Sequence, residues 1–188
     1  MRRSLILGLL WMLTVPLAIR AGEPTPDGAP PPLGAEAAEK LKPAARMAGK
    51  WVGTATFDRG PGGKAQVRQE EAIQVKLDGA AVLIEGKGTM QQNGQTVPAH
   101  DALGIIFYDS RSGGVKLLAV TRQSGAVIAD VTFDDDGAIK WGFETPFGLM
   151  RYTIRIQGDT WTEVGEMSPD GGTTWREFLT MSLKRVGK

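Results

Sequence analysis

The chain has one histidine, His100, which stands beside Asp101 and two residues after Pro98. Such a pair offers a general base or a single metal ligand. A metal site normally takes three or four ligands, and more than one histidine when cysteine is absent. With 188 residues, one histidine and no cysteine, the chain is not expected to hold a metal. His100 reads as a solvated histidine in a loop or at the start of the strand that follows. Asp134-Asp135-Asp136-Gly137 resembles the opening of a calcium loop, but the later acidic ligand of an EF-hand is missing. It reads as the charged tip of a hairpin. The sequence contains no Gly-x-Ser-x-Gly elbow, dinucleotide fingerprint or phosphate loop. No catalytic residue, enzyme activity or cofactor is therefore expected.

Carboxylates and aromatic rings carry more information. Alternation along their segments puts Glu71 on a face with Val67 and Ile73, Glu163 with Trp161 and Met167, and Glu177 with Leu179, Met181 and Leu183. Carboxylates on an apolar face either line an interior, where they orient a polar or cationic ligand group at raised pKa, or are turned outward by a bulge or register shift. The rings include Trp51, Phe57, Phe107, Tyr108, Trp141, Phe143, Tyr152, Trp161, Trp175 and Phe178. Rings on an inner face either fill it or wall a cavity.

The elements that must position these groups are strands. From Lys50 onward the hydropathy pattern has period two, and Gly-containing turns such as Asp78-Gly79, Asn93-Gly94, Asp136-Gly137 and Gly158-Asp159 interrupt it. Asp-Gly and Asn-Gly favour tight hairpins. Ten runs of strand length lie between the turns, at about 50–58, 65–77, 80–91, 102–109, 114–122, 126–134, 138–144, 149–157, 160–167 and 174–185. In the second run Val67, Ile73, Val75 and Leu77 share one face, opposite Arg68, Glu70, Gln74 and Lys76. One wet face and one apolar face mark an antiparallel sheet. Ten strands left flat would expose long edges, and closure removes them. The fold class expected is all-β, an up-and-down antiparallel barrel of about ten strands. One short helix, within Ala35–Ala48 and bent at Pro43, precedes it. A two-sheet sandwich is the alternative architecture.

Residues 1–21 read as a signal peptide: Arg2 and Arg3, then an apolar run from Leu5 to Leu13 too short to span a bilayer, with Ala21 at the cleavage point. Residues 22–34 are rich in proline and read as an extended linker. Residues 35–188 form the barrel domain. The whole-chain charge of +1 becomes about −2 once Arg2, Arg3 and Arg20 leave, with 19 basic against 21 acidic residues. No basic block stands out, so neither nucleic acid nor an anionic membrane surface is an expected partner. The expected location is exported, periplasmic or secreted, with membrane contact only through the signal peptide.

Gly49-Lys50-Trp51-Val52-Gly53, opening the first strand after a short helix, resembles the Gly-x-Trp start of the calycin superfamily, which includes lipocalins, fatty-acid-binding proteins and nitrobindins. That resemblance implies a lipocalin-like barrel closed at one end by Trp51 under a basic residue of the last strand, Lys184 or Arg185, with Arg185 the preferred candidate. Together with Gly49-x-Trp51-x-Gly53, two further segments are similar to a bacterial exported family known as domain of unknown function 1579. They are Leu103-Gly104-Ile105-Ile106-Phe107-Tyr108-Asp109 and Glu166-Met167-Ser168-Pro169-Asp170-Gly171-Gly172-x-x-Trp175. That family has no established activity. Nitrobindins hold haem through a histidine in the C-terminal part of the barrel, where this chain has none, so haem bound that way is not expected.

The resulting expectation is a binding module that takes a small hydrophobic or amphipathic molecule into the barrel. The interior residues expected to line it are Trp51, Phe107, Trp141, Phe143 and Tyr152, with Trp161, Glu163, Glu177 and Met181. The alternative is an envelope structural or interaction protein with a filled barrel and no ligand.

Overall fold

The computed structural model describes residues 34–122 and 125–187. The expected signal peptide and all of the expected linker except Gly34 lie outside the described residues. Ten strands follow one helix. Helix α1 (Ala35–Ala45) leads into β1 (Gly49–Asp58), β2 (Lys64–Lys76), β3 (Ala81–Gln92), β4 (Gln95–Asp109) and β5 (Gly114–Thr121). Then come β6 (Gly125–Phe133), β7 (Ile139–Thr145), β8 (Gly148–Gln157), β9 (Thr160–Ser168) and β10 (Arg176–Gly187). Each strand pairs antiparallel with the next, and β1 pairs with β10, so the sheet is a closed up-and-down barrel. Closure pairs every edge strand and leaves no free edge.

The seam between β1 and β10 explains the Gly-x-Trp-x-Gly segment. A Cβ at Gly53 would stand 2.1 Å from the Ser182 carbonyl oxygen and 2.8 Å from Leu183 Cα. Only glycine lets β10 approach this closely. Trp51 is fully buried beneath the seam, and its indole N–H donates to the Met47 carbonyl at 2.8 Å. The Arg185 guanidinium lies 4.0 Å from the Trp51 ring centre. It also donates to the Ala48 carbonyl, to the Arg46 carbonyl at 3.3 Å and to Asp159 Oδ1 at 3.1 Å. Lys184 faces outward and donates to Thr160 Oγ1 at 2.6 Å. Arg185 thus caps this end of the barrel with a cation–π contact and a fork of donors.

Helix α1 closes the same end. Leu41, Ala44 and Met47 are buried in the core, while Tyr108 on β4 donates to Glu36 Oε1 at 2.8 Å. The helix continues through Pro43 to Ala45, two residues beyond the bend expected there. Proline in the last turn removes one amide bond near an end that is already short of partners. The apolar face of β2 also ends sooner than alternation implies. Val75 and Leu77 are 40% and 77% exposed, because the strand runs past the core and Leu77 turns left-handed at φ 52° to start the hairpin.

Two bulges break the two-residue rhythm. In β4 the pairing steps from Gly88↔His100 to Thr89↔Pro98, which makes Ala99 an extra residue. Proline offers the ladder no N–H, and a bulge is where a strand tolerates it. Strand β4 therefore starts at Gln95, directly after the Asn93-Gly94 turn, instead of near residue 102. In β10 the pairing steps from Glu177↔Glu166 to Leu179↔Gly165, which makes Phe178 the extra residue.

Candidate functional site: an apolar cavity over two carboxyl groups

The inner wall is uneven. Strands β3 to β5 present small residues inward, among them Gly86, Ala102, Gly104 and Ala119, whereas β7 to β10 present rings. The imbalance leaves a cavity of about 720 Å³, within the range typical of small-molecule sites. Its closed end rests on Met47 and on Trp161, which meets Trp51 edge-on at 5.6 Å. The opposite end is bordered by Thr121, Gly125 and the turn from Glu144 to Phe147, whose ring is 80% exposed.

One wall is an aromatic slab. Trp141 and Tyr152 are direct cross-strand partners on β7 and β8 and stack at 4.1 Å with planes 6° apart. Phe143 continues the stack 5.9 Å from Trp141. Phe178, delivered inward by its bulge, meets Tyr152 edge-on at 5.8 Å. Such stacks hold ring faces rigidly toward the space they border.

Two carboxyl groups lie deep in this cavity. Glu71 on β2 and Glu163 on β9 are 9% and 8% exposed. Gln69 Nε2 donates to Glu71 Oε1 at 2.7 Å, and Trp161 Nε1 donates to Glu163 Oε2 at 3.3 Å. Gly86 faces Glu71 across β3, where a Cβ would stand 2.9 Å from both carboxyl oxygens. Burial pushes the Glu71 carboxyl up to about 7, against the Gln69 hydrogen bond. Burial, aided by the nearby Glu71 charge, pushes Glu163 up to about 8. Burial, then the Glu163 charge, pushes the Tyr152 hydroxyl up as well. No lysine or arginine lines the cavity among the described residues, so neither carboxyl has a cation beside it. Near neutral pH the pair therefore holds protons that exposed glutamates would have released.

His100 sits on β4 and lines the cavity, close to Gln69 across Gly88. Burial lowers its pKa against the opposing charge of Asp101. This corrects the expectation of a solvated loop histidine: the bulge at Ala99 absorbs Pro98 and brings His100 into the strand. The Asp134–Asp136 turn is a hairpin tip, with Asp134 paired to Lys140 and Asp136 accepting from Arg155 at 2.8 Å.

Of the residues expected to line the interior, Trp141, Phe143, Tyr152, Trp161, Glu163 and Met181 border the cavity. Three do not. Trp51 lies below it as part of the closed end. Phe107 is on the outer side of β4, because Gly104 and Ile106 take the inner positions. Glu177 is exposed, because the bulge at Phe178 reverses the alternation before Leu179. The same bulge supplies Phe178 to the wall. Glu71 was visible by its alternation with Val67 and Ile73, and Gln69 shares that parity. Nothing local in the sequence marks Phe178.

The segment from Glu166 to Trp175 is a structural knot outside the cavity. Asp170 accepts from Ser168 Oγ at 2.7 Å, Thr174 N at 2.9 Å and Thr174 Oγ1 at 2.6 Å. Those donors, led by the Thr174 hydroxyl, hold its carboxyl at about 2. Arg151 stacks 3.9 Å from the Trp175 ring centre and pairs with both oxygens of Glu166.

Two solved structures are similar in fold. Rv2717c from M. tuberculosis superimposes with a TM-score of 0.56 at 16% identity, covering 78% of this chain and 96% of that one. The S-type phycobiliprotein lyase CPES from Guillardia theta superimposes with a TM-score of 0.53 at 12% identity, covering 74% and 88%. The fold is a closed antiparallel barrel. At such identities the likeness is one of fold. No protein-family model and no curated protein sequence matches the chain.

Proposed function

We propose that this chain is an exported binding protein that holds a small hydrophobic or amphipathic molecule inside its calycin-like barrel. The observation that carries this reading is the cavity itself, about 720 Å³ with predominantly apolar walls, Glu71 and Glu163 in its depth and a few polar groups, Thr121, Glu144 and Thr145, at its mouth. A structural protein with a filled barrel has no use for such a void, which sacrifices packing contacts. Apolar contact would supply most of the affinity, at roughly 25 cal/mol per Å² removed from water before ordering costs. The proposal includes export and membership of the exported family that the three sequence segments resemble. It also takes the carboxyl pair to orient the ligand and not to transform it.

Native mass spectrometry of the purified protein, followed by organic extraction, tests the reading. A co-purifying small molecule recovered chemically unchanged after prolonged incubation is the expected result. Protein that stays empty against a panel of alkyl and aromatic probes would reject it.

A further inference from the structure

Glutamate is almost never buried without an opposite charge beside it, and here two are. Their hydrogen bonds come from neutral groups, the Gln69 amide and the Trp161 indole. The other groups facing them are no better suited to balance charge. Tyr152 and Ile154 on β8, Met181 on β10, and Trp51 and Gly86 beside Glu71 carry none. His100 is held toward its neutral form by burial. Arg185 is outside the cavity lining, spent on Trp51, two carbonyl groups and Asp159. A ligand with an anionic head would meet two carboxyl groups and no cation. A ligand with a cationic head would meet two acceptors that lack only that charge, at the foot of a wall of ring faces that also favour cations.

We infer that the cavity selects amphipathic cations, an alkyl or aryl amine whose ammonium group lies between Glu71 and Glu163 and whose apolar body runs along the Trp141–Tyr152 slab toward the mouth at Phe147. This rests on the proposed binding function and names its ligand class. One carboxyl group ionises to balance the ammonium while the other keeps its proton, so binding releases up to one proton to solvent near neutral pH. The upward shift of both groups in the empty barrel is the reserve from which that proton comes.

Decylamine, decanol and decanoate share one alkyl chain and differ only in the head, which makes them suitable probes for titration calorimetry on the whole protein at neutral pH. Decylamine is expected to bind at least about tenfold more tightly than either of the others. Repeating the titration in buffers of different ionisation enthalpy should reveal proton release. The Glu71→Gln/Glu163→Gln double variant, confirmed folded by circular dichroism, should bind decylamine no more tightly than decanol and show no proton release. Decanol or decanoate binding as tightly as decylamine would overturn the cationic selection and leave the binding function standing. Failure of all three to bind would overturn both.

Discussion

Glu71 and Glu163 make the stability of the empty protein depend on pH in an unusual direction. In the unfolded chain both carboxyls titrate near the ordinary 4.5, whereas in the folded barrel they titrate at about 7 and about 8. Below the unfolded value both states hold their protons, and the contribution of the pair is at its most favourable. Above it, the unfolded chain releases protons that the barrel keeps, so stability falls as pH rises. The slope is at most roughly 1.4 kcal/mol per pH unit for each group, and the loss is complete once the folded groups have ionised. Urea denaturation from about pH 7 to about pH 9, above the range where His100 titrates in the unfolded chain, should show the midpoint falling in the wild type and nearly level in the Glu71→Gln/Glu163→Gln double variant. A level wild-type profile would mean the carboxyls are solvated. Alternation could place Glu71 and Glu163 because β2 and β9 are regular where those residues lie. It misplaced Glu177 because one extra residue at Phe178 exchanges the two faces. For Phe107 periodicity was silent, since Leu103 to Phe107 is apolar on both faces and only strand pairing decides between them.

The strands themselves were legible to within a few residues wherever a tight turn bounded them, because Asn-Gly and Asp-Gly fix both the place and the hand of a hairpin. The start of β4 was hidden by Pro98, His100 and Asp101, which in composition read as a loop. The bulge that accommodates them is a property of the pair β3–β4 and not of either strand. The seam between β1 and β10 is a second such property, and it depends on Gly53. Gly53→Ala would force a methyl group against the Ser182 carbonyl and Leu183 Cα, and should destabilise the barrel by about 2 kcal/mol. Gly62→Ala, where the nearest atom to the new methyl is Arg59 Cβ at 3.4 Å, serves as the control and should change little. Equal urea midpoints for the two variants would show that the seam tolerates separation and that Gly53 is incidental to closure.

Whether the molecule is hollow is decided only at its full scale. Ten strands set the girth of the ring, and the inward side chains then determine how much of that girth is left empty. The sequence does carry the relevant asymmetry: Gly86, Ala102, Gly104 and Ala119 face Trp141, Phe143 and Tyr152 across the interior. That asymmetry becomes visible only when the strands are assembled in order and each inward position is known. Ala119→Phe puts a ring into the small-residue side. It should abolish decylamine binding while leaving folding intact, with thermal stability equal to or above that of the wild type as the void is filled. Undiminished binding in that variant, confirmed folded by circular dichroism, would place the ligand somewhere other than the barrel interior.

Closure by the first and last strands also constrains how the protein is made. The partners of Trp51 and Ala55 across the seam are Arg185 and Met181, so a ribosome must deliver every strand from β1 to β10 before the ring can shut. Until then the nascent product is a curled ribbon with two bare borders, each able to recruit a strand from a neighbouring chain. A ring finished by the last of its own strands is slow to complete because its final contacts are the most distant in sequence. Chains arrested before Arg176 would present those borders permanently, as natural clients for chaperones that hold unfinished sheets apart.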